Sequence, residues 1–165
     1  APRLADQLCF PLYACAKEVV RQYREPLEGL NLTYTQYLVM MVLWEHGGMT
    51  EGELGKRVHL NSGTLAPLLK RLEKAGFVTR RADERDARRN LLFITDAGLE
   101  QMEKNRRQFD ALDEQMFAGM DEEEVRAFRR ACEKMFDNLA DEGDRRLTIW
   151  RLARQAQGGE EAAHT

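Results

Sequence analysis

Leu60-Asn61-Ser62-Gly63-Thr64-Leu65-Ala66-Pro67-Leu68-Leu69-Lys70-Arg71-Leu72-Glu73 is the stretch that decides the fold. Leu65, Leu68, Leu69 and Leu72 recur at helical spacing, so the segment predicts a helix with one apolar face, running to about Ala75-Gly76. Leu60 to Gly63 is a break of small and polar residues. Just upstream, Thr50-Glu51-Gly52-Glu53 places a hydroxyl three residues before a carboxylate, the pattern of a capping box. It opens a short helix with Leu54 and Val58 on its inner face. Two short helices joined by a tight turn are the signature of a helix-turn-helix.

Beyond Gly76 the periodicity changes. Phe77-Val78-Thr79-Arg80 and Leu91-Leu92-Phe93-Ile94-Thr95 predict two strands, joined by the charged segment Ala82 to Arg89. A helix-turn-helix followed by a charged hairpin is a winged helix. Upstream, residues 8–25 predict a helix that starts near Cys9, because Pro11 fits only the first turn, and that ends at Pro26. Thr33 and Gln36 form a second capping box, opening a helix that carries Tyr37, Leu38, Met41, Val42 and Trp44 and stops at Gly47-Gly48. Downstream, Thr95-Asp96 caps one long helix with Leu99, Met102, Phe109, Leu112 and Met116 on one side. Asp121 to Glu124 caps another, whose Val125, Phe128, Cys132, Met135 and Leu139 form a seam suited to a partner helix. A further amphipathic turn or two is expected around Leu147, Ile149 and Trp150, and a disordered polar tail over residues 156–165. The fold class is mainly α with a small β-hairpin.

The chain has 165 residues and a formal net charge of −3, which taken as an average argues against a nucleic-acid partner. The average conceals a division. Residues 1–49 carry a net −1, residues 50–95 a net +4 and residues 96–165 a net −6. The basic surplus is confined to the winged segment, and a local surplus steers a polyanion even on an acidic protein. No apolar run approaches the roughly 18 residues of a membrane span. Three cysteines without a CxxC pair give no disulfide framework and fit a reducing cytoplasm. The three histidines have no metal-ligand spacing, and neither a metal nor a cofactor is expected.

In a helix-turn-helix the second helix enters the major groove with its first turns against base edges. Here those turns offer Asn61, Ser62, Gly63 and Thr64, small groups that bond bases and admit close backbone approach. Lys70 and Arg71 lie further along and suit phosphates. The hairpin adds Arg80, Arg81, Arg85, Arg88 and Arg89. A tip arginine fits the minor groove, with Asp86 placed to orient Arg88. Capping alone accounts for Asn61 and Ser62, but not for the arginine-rich hairpin that follows.

From Leu8 to about Gly98 the chain resembles the MarR family of winged-helix regulators, and within it the OhrR branch that senses organic hydroperoxides. The resemblance rests on Gln7-Leu8-Cys9-Phe10, on Leu32 to Leu38, on the Leu60 to Glu73 stretch and on the wing segment Asp86-Ala87-Arg88-Arg89. It departs at Asn61, where the family usually has aspartate, and at Ala87, where an acidic residue is usual. The resemblance implies a homodimeric repressor, with no enzymatic activity, that binds an inverted-repeat operator in double-stranded DNA. Its winged part would cover about residues 31–97, and residues 1–30 and 98–155 would be dimerisation helices. It also implies that Cys9 is the redox-sensing cysteine, surrounded by the hydroxyls of Tyr13, Tyr23 and Tyr34, and that an organic hydroperoxide is the signal.

Spacing constrains that thiol site. Near the first turn, Cys9 meets the positive end of the helix dipole, which favours a thiolate, the form that attacks a peroxide. Tyr13 is one turn away on the same face. Tyr23 is fourteen residues on, about 21 Å along a helix at 1.5 Å per residue, so it reaches only the Cys9 of another subunit. On spacing alone Cys9 reads better as a small buried residue and the tyrosines as ordinary core; the resemblance reverses that preference. Cys15 and Cys132 are expected to be structural. The resemblance leaves three end states for oxidised Cys9: a sulfenic acid, a mixed disulfide with a small thiol, which is favoured, or an intersubunit bond to Cys132. Two other functions remain beside the redox repressor: a MarR-type repressor answering a non-covalent aromatic ligand, and, more remotely, a thiol peroxidase.

Overall fold

The structure, a computed structural model, describes residues 3–146 and 148–163. Helix α1 spans Cys9–Glu28, and Pro11 falls in its first turn as expected. Pro26 does not end it. That residue occupies the last turn, and the helix closes at Gly29, whose N–H reaches the Glu25 carbonyl at 3.4 Å. The missing N–H of Pro26 leaves only the Gln22 carbonyl without an i+4 donor, one loss close to the helix end. Helix α2 (Tyr34–His46) is capped by Thr33 and Gln36, and α3 (Glu51–Arg57) by Thr50 and Glu53, both as complete capping boxes. Helix α4 (Ser62–Lys74) begins at Asn61, whose side chain accepts from the Thr64 N–H at 2.9 Å.

The wing pairs β1 (Val78–Ala82) with β2 (Asn90–Ile94) antiparallel, from Val78 opposite Ile94 to Ala82 opposite Asn90. The Leu92 N–H and carbonyl bond Met49 and Gly48 at 2.7 and 2.9 Å, so the chain before α3 is tied to the hairpin. The core lies where these parts meet. Val39, Met40 and Leu43 of α2 are buried with Leu54, Leu65, Leu69, Leu72, Val78 and Leu92.

The long helix expected after Thr95 is two helices, α5 (Asp96–Glu103) and α6 (Arg106–Met116). The break falls at Asn105, which leaves helical geometry (φ −112°, ψ 27°) and donates its side-chain N–H to the Pro26 carbonyl at 2.8 Å. Gln101 similarly donates to the Leu30 carbonyl at 2.7 Å. Two carbonyls at the α1–α2 corner thus gain donors, and the helix yields there. Helix α7 (Glu122–Leu139) has the expected Asp121–Glu124 capping box. Its seam is open: Phe128 is half exposed, Leu139 is almost fully exposed, and Val125, Cys132 and Met135 are half-buried. Phe136 turns away from that seam, placing its ring 4.8 Å from His59 and edge-on to Trp150 at 5.2 Å.

After α8 (Glu142–Arg146), the last helix, α9, spans Ile149–Ala163. It runs through most of the stretch expected to be disordered. Strong helix formers such as Leu152, Gln155, Glu160 and Ala162 outweigh the cost of Gly158 and Gly159, about 1 kcal/mol each. Leu147, His164 and Thr165 lie outside the described residues.

At Gly98 the first turn of α5 packs closely against the wing. A Cβ there meets the Phe77 carbonyl oxygen at 2.5 Å and Ile94 Cγ1 at 2.7 Å. Gly98→Ala is expected to destabilise the fold by about 1–3 kcal/mol, an overpacking cost, measured by urea unfolding. A change within about 0.5 kcal/mol contradicts this packing, since that is the range of a neutral surface substitution.

Candidate nucleic-acid interface and thiol site

The turn between α3 and α4 is built by three local features. His59 adopts a left-handed conformation (φ 58°). Gly55 lacks the Cβ that would meet the Leu60 carbonyl at 2.9 Å. Asn61 caps the start of the next helix. The result leaves Asn61, Ser62, Gly63 and Thr64 exposed together on the first turn of α4. Pro67 has no N–H, so the Gly63 carbonyl on that same exposed turn has no i+4 donor and remains available as an acceptor. Lys70 and Arg71 are exposed further along the helix.

The wing arginines divide into two groups, a division the sequence does not reveal. Arg80 is committed internally. It donates to Glu73 of α4 at 2.7 Å and to Glu51 of α3 at 3.1 Å, fastening strand β1 to both helices. Arg89 bonds Glu53 of α3 at 2.8 Å and lies 3.8 Å from Asp83. Arg81 packs over the Phe93 ring at 4.4 Å. Arg88 is different: its side chain is 91% exposed at the hairpin tip. Asp86 accepts from its Nε and from its backbone N–H, both at 3.1 Å, and those bonds hold the Asp86 carboxyl below the usual carboxylate range. The pairing expected from the sequence is therefore formed, and it extends Arg88 away from the body.

The thiol residues are parted. Cys9, in the first turn of α1, is exposed, and Tyr13 one turn on is exposed as well. Lys17 donates to the Tyr13 hydroxyl at 3.2 Å. Tyr23 and Tyr34 lie at the other end of the helix, their rings 5.3 Å apart, in a cluster with Tyr37 and Phe109. Sequence reasoning missed those last two, which stack at 5.0 Å. Their pairing is a tertiary contact between α2 and α6 with no local signature. Burial, then the Asp113 carboxylate nearby, pushes the Tyr23 phenol up to about 12. Exposed Leu8, Phe10 and Val20 continue the open face of α1 beside Cys9. Among the described residues no helix is long and apolar enough to cross a membrane, and no cluster of His, Cys, Asp and Glu could hold a metal ion.

A mainly helical chain whose helix-turn-helix carries a two-stranded wing is a winged helix, and the comparisons agree. The MarR family model matches residues 32–89. Over that segment the chain is similar to the MarR family. The organic hydroperoxide resistance transcriptional regulator of Bacillus subtilis is 46% identical over 96 residues, covering 58% of this chain and 65% of that one. The regulator TtmR of Methylorubrum extorquens is 52% identical over 95 residues, covering 58% and 49%. The match thus spans less than two thirds of the length of either relative. Among solved structures, a complex of Staphylococcus aureus MepR with DNA superposes with a TM-score of 0.70 over 81% of this chain and 98% of that one, at 23% identity.

Two outcomes follow. Arg80→Ala leaves Glu51 and Glu73 together without their cation and is expected to lower the melting temperature, whereas Arg88→Ala is expected to leave it unchanged within about 1 °C. Scanning calorimetry of both variants checks this, and equal melting temperatures contradict the division. Because the raised Tyr23 phenol favours the neutral form in the folded state, it contributes stability that is complete below pH 10 and lost as pH rises towards 12. Wild type is therefore expected to lose stability relative to Tyr23→Phe across that window, read by thermal melts at fixed ionic strength. Parallel curves for the two proteins contradict it.

Proposed function

We propose that this chain is a transcriptional repressor that binds an inverted-repeat operator as a homodimer and is released when an organic hydroperoxide oxidises Cys9. In this reading Asn61, Ser62, Gly63 and Thr64 meet base edges in the major groove. Lys70, Arg71 and Arg81 meet phosphates, Arg88 reaches the minor groove oriented by Asp86, and Arg89 steadies the wing. Half-sites lie about one helical turn, roughly 34–36 Å, apart. DNA in the MepR complex and the name of the Bacillus subtilis relative both favour this reading.

The observation that carries the sensor is the continuity of α1. Cys9 and Tyr23 lie on one uninterrupted helix, fourteen residues or about 21 Å apart, while Tyr23 already touches Tyr34. Cys9 with Tyr13 from one copy, and Tyr23 with Tyr34 from a second, make a complete site when the first helices lie antiparallel. The exposed apolar face beside Cys9 supports such a contact. The Cys9 thiolate attacks the outer peroxide oxygen. An S–O bond forms, the O–O bond breaks, and the alkoxide leaves and takes a proton to become the alcohol. Sulfur is oxidised by two electrons to the sulfenic acid, and a small thiol then condenses with it to a mixed disulfide, releasing water. The altered sulfur no longer fits the tyrosine hydroxyls, so the packing of the first helices against the winged parts shifts and the recognition helices lose their spacing.

Gel shifts of wild type and Cys9→Ser on an AT-rich inverted repeat test this. Organic hydroperoxide is expected to release wild type and to leave Cys9→Ser bound with at least about tenfold higher affinity than the oxidised wild type, about 1.4 kcal/mol. Release of Cys9→Ser by the peroxide overturns the sensor and favours a non-covalent ligand.

A further inference from the structure

Three aromatic rings from distant parts of the chain meet at the turn that starts the recognition helix. His59 lies in that turn, Phe136 near the end of α7 and Trp150 in the first turn of α9. The Phe136 ring is 4.8 Å from the His59 ring, and the Trp150 ring meets it edge-on at 5.2 Å. Both spacings fall where aromatic rings attract. Trp150 is itself anchored. Thr148, just before α9, is fully buried, and its carbonyl accepts from the Leu152 N–H at 3.1 Å, while Ile149 packs against the core.

The turn makes a demand on the His59 backbone. Its φ of 58° is left-handed, a region that a residue with a β-carbon enters at a cost. The chain is tied on both sides of it: the Leu60 N–H donates to the Gly55 carbonyl at 2.9 Å, and the Leu65 N–H donates to the Asn61 carbonyl at 2.9 Å. Glycine would meet that demand without strain. The ring is therefore what the position gains from histidine. His59 is exposed, so burial in the core does not account for the ring, and its observed neighbour is Phe136. A strained residue persists where its surroundings hold it.

We infer that Phe136, backed by Trp150, is a positioning residue for DNA reading: it holds the His59 turn, and through it the direction of Asn61, Ser62, Gly63 and Thr64. The inference rests on the proposal above that those four residues meet the bases. Asn61 follows His59 by two residues, so a rotation of the turn re-aims the helix cap and the side chains that follow it. Attraction to phosphates does not need that precision, because it acts without regard to sequence. The contact also gives α7, whose seam is open, a route to the recognition helix that bypasses α2.

The test uses the full chain. Amide hydrogen exchange is followed at Leu60, Thr64 and Leu65, whose N–H groups are all bonded within the turn and the first turn of α4. In Phe136→Ala their protection is expected to fall about two- to tenfold, the worth of one aromatic contact, while the Leu92 amide of the wing keeps its protection. Unchanged turn amides, or an equal fall at Leu92, overturn the inference. His59→Asn tolerates the left-handed backbone but lacks the ring. It carries the same expectation, and it decides the matter if Phe136→Ala does not fold. Gel shifts on the AT-rich inverted repeat and on a random-sequence duplex at low salt form the second arm. Each variant is expected to bind the repeat about two- to tenfold more weakly, and the random duplex within about twofold of wild type. The double variant is expected to lose no more than either single one, since both remove the same contact. Undiminished affinity for the repeat, equal loss on both duplexes, or additive losses overturn the positioning role. If wild type itself does not prefer the repeat, the base-reading proposal fails and the positioning role with it, whereas the exchange arm still tells whether Phe136 holds the turn.

Discussion

The buried face of α2 is the constraint on which the rest of the molecule depends. Val39, Met40 and Leu43 have almost no exposure, and they are surrounded by α1, α4, α5 and the wing. Removing a buried side chain of that size costs about 2–5 kcal/mol, a large part of the stability of a domain this small. That single face orients two machines. Its wing-side neighbours Leu65, Leu69 and Leu92 fix the recognition helix, and its opposite side carries Tyr34 and Tyr37 into the aromatic cluster. A change of packing on the tyrosine side therefore has a short physical route to the DNA side, through one rigid helix.

The charge distribution obeys a similar economy. Glu51, Glu53 and Glu73 are acidic residues inside a basic segment, and as a net count they merely reduce it. In the structure they hold Arg80 and Arg89, so that the hairpin is braced against α3 and α4 while Arg88 stays extended at the tip. A hairpin of two short strands is marginal in isolation. Ion pairs that are half shielded from solvent, together with the Leu92–Met49 bonds, give it a fixed direction. The exposed apolar face of α1 and the open seam of α7 point the other way, towards surfaces that a single chain leaves uncovered.

Much was legible in the sequence because it was local. Capping boxes at Thr33, Thr50 and Asp121 involve residues three apart, and each formed where the spacing placed it. The leucine periodicity of α4 and the alternation of the hairpin are likewise short-range patterns. The Asp86–Arg88 bond spans two residues and was legible for the same reason. The misjudged boundaries were those set from afar. Asn105 breaks the helix after Thr95 because the Pro26 carbonyl, 79 residues away in sequence, takes its donor.

The sequence by itself determined the winged helix, its basic surplus, and the fourteen-residue separation that keeps Cys9 from Tyr23, since helical rise and periodicity follow from local geometry alone. Only the tertiary structure decided which arginines are free, that Tyr37 and Phe109 join the tyrosine cluster, and that Phe136 meets the turn before α4. Those facts depend on which helix lies against which, and packing of that kind is a property of the whole chain, with no residue spacing to announce it.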